Sequence, residues 1–363
     1  MSSMQSFKRK PNKQRTQFLN NITQKLKDIV RPPLVGIDLG TANSIVILHQ
    51  KGIIAEEPTL VAIDITNYQI VAVGNEAKYM LGKSPESIVV KRPLQSGVIS
   101  NARVTQKLVS YLLNRALGRI RFKKPEVMIS TPVGITSVEK RAVIKTLLAT
   151  GAKRVYLIPE PLAAAIGAKL PIHESFGNMI INMGGGTVEV AVISLNGIVI
   201  ADSIRIAGDR FNEDIIHYAR KKMNLRIGIQ MAEKIKIQIG SALPLKEPLK
   251  MEISGTDMGT GLPTTLEFTS NHVAEALRNA LEEIVQNIRK ILEKTPPELV
   301  ADIKDHGIVL TGGTAQLRNI DTLFAEALGL PVYIADDPLH AVINGIDEAL
   351  NYVDVLKKSL TVF

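Results

Sequence analysis

The strongest constraint on how this 363-residue chain can fold is an internal echo. Residues 34–54 read LVGIDLGTANSIVILHQKGII, and residues 178–200 read NMIINMGGGTVEVAVISLNGIVI. Each stretch has an apolar strand-like run, a polar residue near its end, a glycine turn carrying a threonine, and a second apolar run. Asp38-Leu-Gly-Thr41 aligns with Asn182-Met-Gly-Gly-Gly-Thr187 once two glycines are inserted. A repeated hairpin of this kind predicts two related halves. Helical patterns follow each hairpin, so the expected class is α/β. In one of them, Val273, Leu277, Leu281, Ile284, Ile288 and Ile291 make one face of a long helix that ends before Pro296-Pro297. Residues 306–328 then read as strand, glycine loop and helix.

Three glycine loops follow strands: Gly40-Thr41-Ala42-Asn43, Gly184-Gly185-Gly186-Thr187, and Gly312-Gly313-Thr314. Glycine lets backbone N–H groups approach an anion without a Cβ in the way. Two hairpin loops facing one another can clamp a polyphosphate, and the third can take the nucleoside end. A single such loop is usually an ordinary tight turn; three, two of them in a repeat, point to a nucleotide. Neither a Walker A sequence nor a convincing G-x-G-x-x-G is present. Glu160, at the start of the helical pattern EPLAAAIGA, is a candidate for orienting a water against a terminal phosphate. The same Glu also suits a helix start through the macrodipole alone. Asp38 can hold Mg²⁺ through waters, or simply form the turn.

Composition limits the alternatives. There is no cysteine, which excludes disulfides, thiolate catalysis and Cys-ligated zinc, and the six histidines are scattered without His-Glu-x-x-His spacing. Eight lysines and arginines against Asp28 give residues 1–33 a charge of +7, out of +9 for the whole chain. The near-neutral body therefore lacks a nucleic-acid signature. Within the tail, Phe18, Leu19, Ile22, Leu26, Ile29 and Val30 fall at helical spacing among lysines. Such an amphipathic helix fits an anionic membrane surface, and equally fits docking on its own domain or a partner. No apolar run is long enough to cross a bilayer, and no signal-peptide core precedes the body.

The blocks GIDLGTANS, NEAKYMLGKSP, KRPLQSGVIS, TPVGITSVEKRAV, PEPLAAAIGA, GGGTVEVAVISL, AEKIKIQIGSA, EKTPPELVADI and LTGGTAQL carry a resemblance that runs from about Leu34 to near the C-terminus. Together, in this order and spacing, they resemble the MreB family of bacterial actin homologues. The resemblance implies the actin-like ATPase fold: two lobes, each an RNase-H-like core plus a small subdomain, with ATP and Mg²⁺ in the cleft. It implies a first subdomain of 34–61, 95–174 and 344–363 bearing a small one at 62–94. A second of 175–210 and 275–343 bears a small one at 211–274. It places Asp38, Thr41, Ala42 and Asn43 in the first phosphate loop and Gly184, Gly185, Gly186 and Thr187 in the second. Gly312, Gly313 and Thr314 take the adenosine side with Glu233 and Lys236, and Gly208 and Asp209 lie near the cleft. Glu160 matches the water-positioning carboxylate. Ile120 and Phe122, flanked by Arg119, Arg121, Lys123 and Lys124, match a loop that inserts into membranes, although an ordinary exposed loop has the same composition. The implied function is ATP-dependent assembly into paired, membrane-bound filaments on the cytoplasmic face, working with the cell-wall and shape machinery and not with nucleic acid.

Three departures from the family pattern stand out. Asn182 occupies a position that is usually aspartate, so it keeps an acceptor oxygen near the metal but loses the charge. Thr314 stands where a third glycine is common, and Ile229-Gln230 where charged residues are common. Slow hydrolysis is the expectation from Asn182, and an accessory paralogue that co-assembles with other MreB proteins is the alternative function. A sugar- or acetate-kinase reading lacks a substrate-domain motif. A chaperone-type ATPase would need a substrate-binding region after the ATPase body.

Overall fold

The computed structural model describes residues 32–363, apart from 96, 119–122 and 357. The amphipathic pattern at 18–30 and the Ile120/Phe122 loop lie outside the described residues.

Two large sheets repeat one topology. In the first, strands β1 (Leu34–Leu39), β2 (Asn43–Leu48) and β3 (Gly52–Pro58) form an antiparallel meander. β4 (Glu126–Thr131) then joins β1 in parallel, and β5 (Arg154–Pro159) joins β4. In the second, β6 (Asn178–Met183), β7 (Val188–Ser194) and β8 (Gly197–Ile204) form the meander. β9 (Ile308–Thr311) and β10 (Val332–Ile334) are its parallel additions. The strand orders 3-2-1-4-5 and 8-7-6-9-10 therefore correspond strand for strand. A final short strand, β11 (Thr361–Val362), pairs with β5 and covers the edge of the first sheet. Nothing in its local pattern announced it.

Period-two alternation assigns the faces of these strands. Val188, Val190 and Val192 of β7 enter the core of the second lobe. Ala191 and Ile193 point the other way, into a core shared with Ile45, Ile47 and Ile158 of the first lobe. Such two-sided burial explains why these strands read as continuous apolar runs. Two short helices fill the shared core: α1 (Glu160–Gly167) and α5 (Ala341–Ala349). They approach closely because Gly167 and Gly345 face the opposite backbone; a Cβ on either would collide with the carbonyl oxygen of Ala341 or Ala163. This glycine-lined crossing joins the two lobes beneath the cleft.

The remaining helices used below are α2 (Gly208–Met223), α3 (Ile229–Ile239) and α4 (Ser270–Lys294). All six apolar residues that predict α4 are buried in it. After β9, the chain first makes a 3-10 turn over Gly313–Gln316, and the helix starts only at Ile320. The sequence reading of a loop opening directly into a helix missed that turn. Smaller three-stranded sheets lie at Val61–Asp64, Gln69–Val73 and Ile88–Lys91, and at Leu225–Arg226, Lys250–Asp257 and Pro263–Thr269. Gln230 at the start of α3 donates to the Leu81 carbonyl at 3.3 Å, linking the two small regions over the cleft.

Candidate functional site

The same alternation that builds the shared core aims a polar residue from each meander into the cleft. Asp38 is the fifth residue of β1 and Asn182 the fifth of β6. Each is met by a hydroxyl from the neighbouring parallel strand: Ser130 Oγ donates to Asp38 Oδ1 at 2.7 Å, and Thr311 Oγ1 to Asn182 Oδ1 at 3.3 Å. The two lobes thus present one design, charged on one side and neutral on the other.

A cavity of about 410 Å³ opens between them. Its walls bring together the candidates read from sequence: Asp38, Thr41, Ala42, Asn43, Glu160, Asn182, Gly184 to Thr187, Gly208, Asp209, Glu233, Lys236, Gly312, Gly313 and Thr314. Ile237, Gln316, Leu317 and Leu339 add a more apolar end beside the third loop.

The hairpin loops touch each other. A Cβ on Gly185 would lie 2.7 Å from Ala42 Cβ, and one on Gly186 2.5 Å from Thr41 Oγ1. Glycine is needed there first to let the loops meet, before any ligand is considered. Carbonyl groups of both loops are each held by a donor. Thr59 Oγ1 donates to Gly40 O at 2.7 Å, Thr59 N to Ala42 O at 2.9 Å, and Arg92 to Thr41 O at 2.9 Å. On the other side, Thr314 Oγ1 donates to Gly184 O at 2.7 Å, and Asp209 N to Gly185 O at 2.7 Å. A trans peptide points its N–H opposite to its C=O, so each pinned carbonyl also fixes the direction of the N–H on the same peptide, the group that a phosphate would use. Thr59 and Arg92 were missed by sequence reasoning because neither lies in a glycine loop.

Glu189 was missed as well. It is fully buried on β7, directly opposite Asn182 in the ladder. One oxygen accepts from Val133 N in the first lobe at 2.8 Å, while Oε2 is sealed without a partner. Burial pushes its carboxyl up to about 8, against the opposing effect of the Val133 N–H. Burial also raises Glu160 well above the carboxylate range, reinforced by the nearby Glu189 and Asp38. Asp38 rises to about 6 by burial, partly countered by Ser130. The visible sequence signal for Glu189 was one charge inside the otherwise apolar run VEVAVIS.

At the cleft mouth, Arg92 reaches from the first lobe to Asp209 at 3.3 Å. Asp209 is raised by burial and lowered by Arg92 and Lys236. Lys236 donates to Gly208 O at 2.8 Å, and burial lowers its ammonium. Acids outnumber cations around this cavity, so a bare triphosphate would meet repulsion. The donor set fits Mg²⁺, which keeps most of its water and takes few carboxylates. Asp38 has one oxygen engaged by Ser130, and its raised carboxyl would be eased by a nearby cation. Among the described residues there is no cluster of three His, Cys, Asp or Glu that could cage a metal, and no helix is long and apolar enough to cross a membrane.

Two lobes of matching topology, with glycine loops meeting across a cleft, define the actin-like ATPase fold. Comparison with known proteins narrows this. The family model described as MreB/Mbl protein matches residues 33–358, and the chain belongs to that family. It is 47% identical over 328 residues to the cell shape-determining protein MreB of Haemophilus influenzae, covering 88% of this chain and 93% of that one. It is 44% identical over 324 residues to the cell shape-determining protein Mbl of Bacillus cereus, covering 89% and 97%. The crystal structure of MreB 5 of Spiroplasma citri bound to AMPPNP superposes with a TM-score of 0.85 at 35% identity, covering 90% and 97%. A MamK double helical filament shares the fold, with a TM-score of 0.74 at 20% identity.

Proposed function

We propose that the chain binds ATP with Mg²⁺ in this cleft and assembles into membrane-associated filaments that organise cell shape and wall synthesis. The observation that carries the reading is the convergence of both hairpin loops, the third glycine loop, Asp38 and Glu160 on one cavity. The nucleotide is supported by the AMPPNP-bound relative, and the role by relatives named for cell shape. The filament reading rests on family membership. Mg²⁺ would neutralise charge on the phosphate oxygens, held by Asp38 through water and weakly by Asn182. Glu160 would orient the attacking water. The segments 62–94 and 211–274 would serve as the small subdomains. The tail residues Phe18 to Ile29, with Ile120 and Phe122, would supply two separate contacts with an anionic inner membrane face, the number stable anchoring generally needs.

A second reading is favoured by Asn182: a slow or non-hydrolysing paralogue that co-assembles with other MreB proteins. An amide at the pseudo-symmetric partner of Asp38 halves the carboxylate charge offered to the metal. Phosphate release under assembly conditions separates the two, comparing the native chain with Asn182→Asp and Glu160→Ala. Faster release in Asn182→Asp, abolished by Glu160→Ala, supports a detuned ATPase. Rapid native turnover that Asn182→Asp leaves unchanged supports an ordinary one. Pelleting with and without ATP tests assembly, and failure to pellet in both, alone or with a paralogue, would sink the filament reading.

A further inference from the structure

The hydroxyl of Thr314 has one proton, and the structure commits it to the carbonyl oxygen of Gly184 at 2.7 Å. That carbonyl has one other donor, Gly208 N, at a longer 3.3 Å. The peptide unit containing Gly184 C=O also contains Gly185 N–H, and the two point in opposite directions. Among the described residues Gly185 N–H has no acceptor. With glycine on both sides of it, this peptide plane can rotate at little steric cost. Rotation would turn a carbonyl oxygen toward an incoming phosphate and withdraw the N–H. Thr314 itself is nearly buried, on the 3-10 turn that follows β9 at the base end of the cavity.

We propose that Thr314 is a positioning residue: its hydroxyl holds the Gly184–Gly185 peptide in the anion-receiving orientation, and so ties the base side of the site to the phosphate side. A glycine at this position could not do so. The proposal deepens the nucleotide reading and rests on it. Because the hydroxyl proton is already used, Thr314 acts on phosphate through Gly185 N–H and does not donate to the ligand.

The test compares ATP with adenosine, which lacks phosphates, by competition against a fluorescent ATP analogue on the full chain with Mg²⁺. Thr314→Val keeps the shape and removes the donor; Thr314→Ser keeps the donor. The expected result is an ATP affinity weakened about tenfold in Thr314→Val, the scale of one lost hydrogen bond. Adenosine should change much less, and Thr314→Ser should restore ATP binding. The proposal is overturned if Thr314→Val binds ATP like the native chain, or if it loses adenosine as much as ATP, which would make Thr314 a packing residue. It is also overturned if Thr314→Ser resembles Thr314→Val. A native chain that binds neither probe would instead overturn the nucleotide reading, and the proposal with it.

Discussion

Gly184 and Gly186 lie two positions apart in one loop, yet a side chain would meet quite different surroundings at each. A Cβ on Gly184 finds only Thr187 O at 3.3 Å, whereas one on Gly186 is within 2.9 Å of three Thr41 atoms. Gly186→Ala should therefore force the loops apart and weaken ATP binding at least tenfold, with Gly184→Ala within about threefold of native; titration of the two variants checks this. Glu189 makes a second prediction at this scale. Its carboxyl titrates at about 8 in the fold, against 4.5 for an ordinary solvated glutamate. Between those values the folded chain keeps a proton that the unfolded chain has released, so stability falls as pH rises through the window. Glu160 acts in the same sense, and Asp38 does so up to about 6. Melting of the nucleotide-free chain should move to lower temperature from about pH 5 to 8, and Glu189→Gln should flatten that slope. An unchanged slope would mean that Glu189 is ionised in the fold.

Side chains also tie the lobes together besides the α1–α5 crossing. Arg92 spans Thr41 O and Asp209, and Glu189 takes Val133 N from the opposite lobe. The Arg92–Asp209 pair is part-exposed, so its effect on stability should be small, under about 1 kcal/mol. Its effect on lobe opening should be larger, because it bridges the lobes at Asp209, which lines the cavity. Arg92→Ala should speed release of a fluorescent ATP analogue several-fold, and Arg92→Lys should recover much of it, because one nitrogen, Nη1, makes both contacts and a lysine ammonium can also donate to two acceptors. Stopped-flow release is the measurement; equal rates in all three would remove Arg92 from the closing mechanism.

For the whole molecule, the uneven charge is the feature to test. With +7 of the net +9 in residues 1–33, electrostatic attraction to anionic vesicles should reside in the tail. Deleting those residues should reduce vesicle pelleting strongly at low salt and little at high salt, because screening already suppresses the charge term there. Equal losses at both salt concentrations would point to apolar contact as the tail's contribution.

What the sequence determined by itself is whatever is contiguous. The two hairpins, the glycine loops, the apolar face of α4 and the polar residues Asp38 and Asn182 are each local patterns set by backbone sterics and side-chain period. Their repetition was enough to expect two related lobes, and the loops line one cavity in the structure. What only the tertiary structure decided is whatever depends on partners far along the chain. Thr59 and Arg92 pin the first loop from 19 and 51 residues away, and Thr314 pins the second from 130. Glu189 meets Val133 across 56 residues, and the last strand returns to the edge of β5. A hydroxyl or a guanidinium has no local signature of what it will touch. These contacts exist because folding brings two strand ends and their loops face to face, and that juxtaposition is a property of the packed lobes.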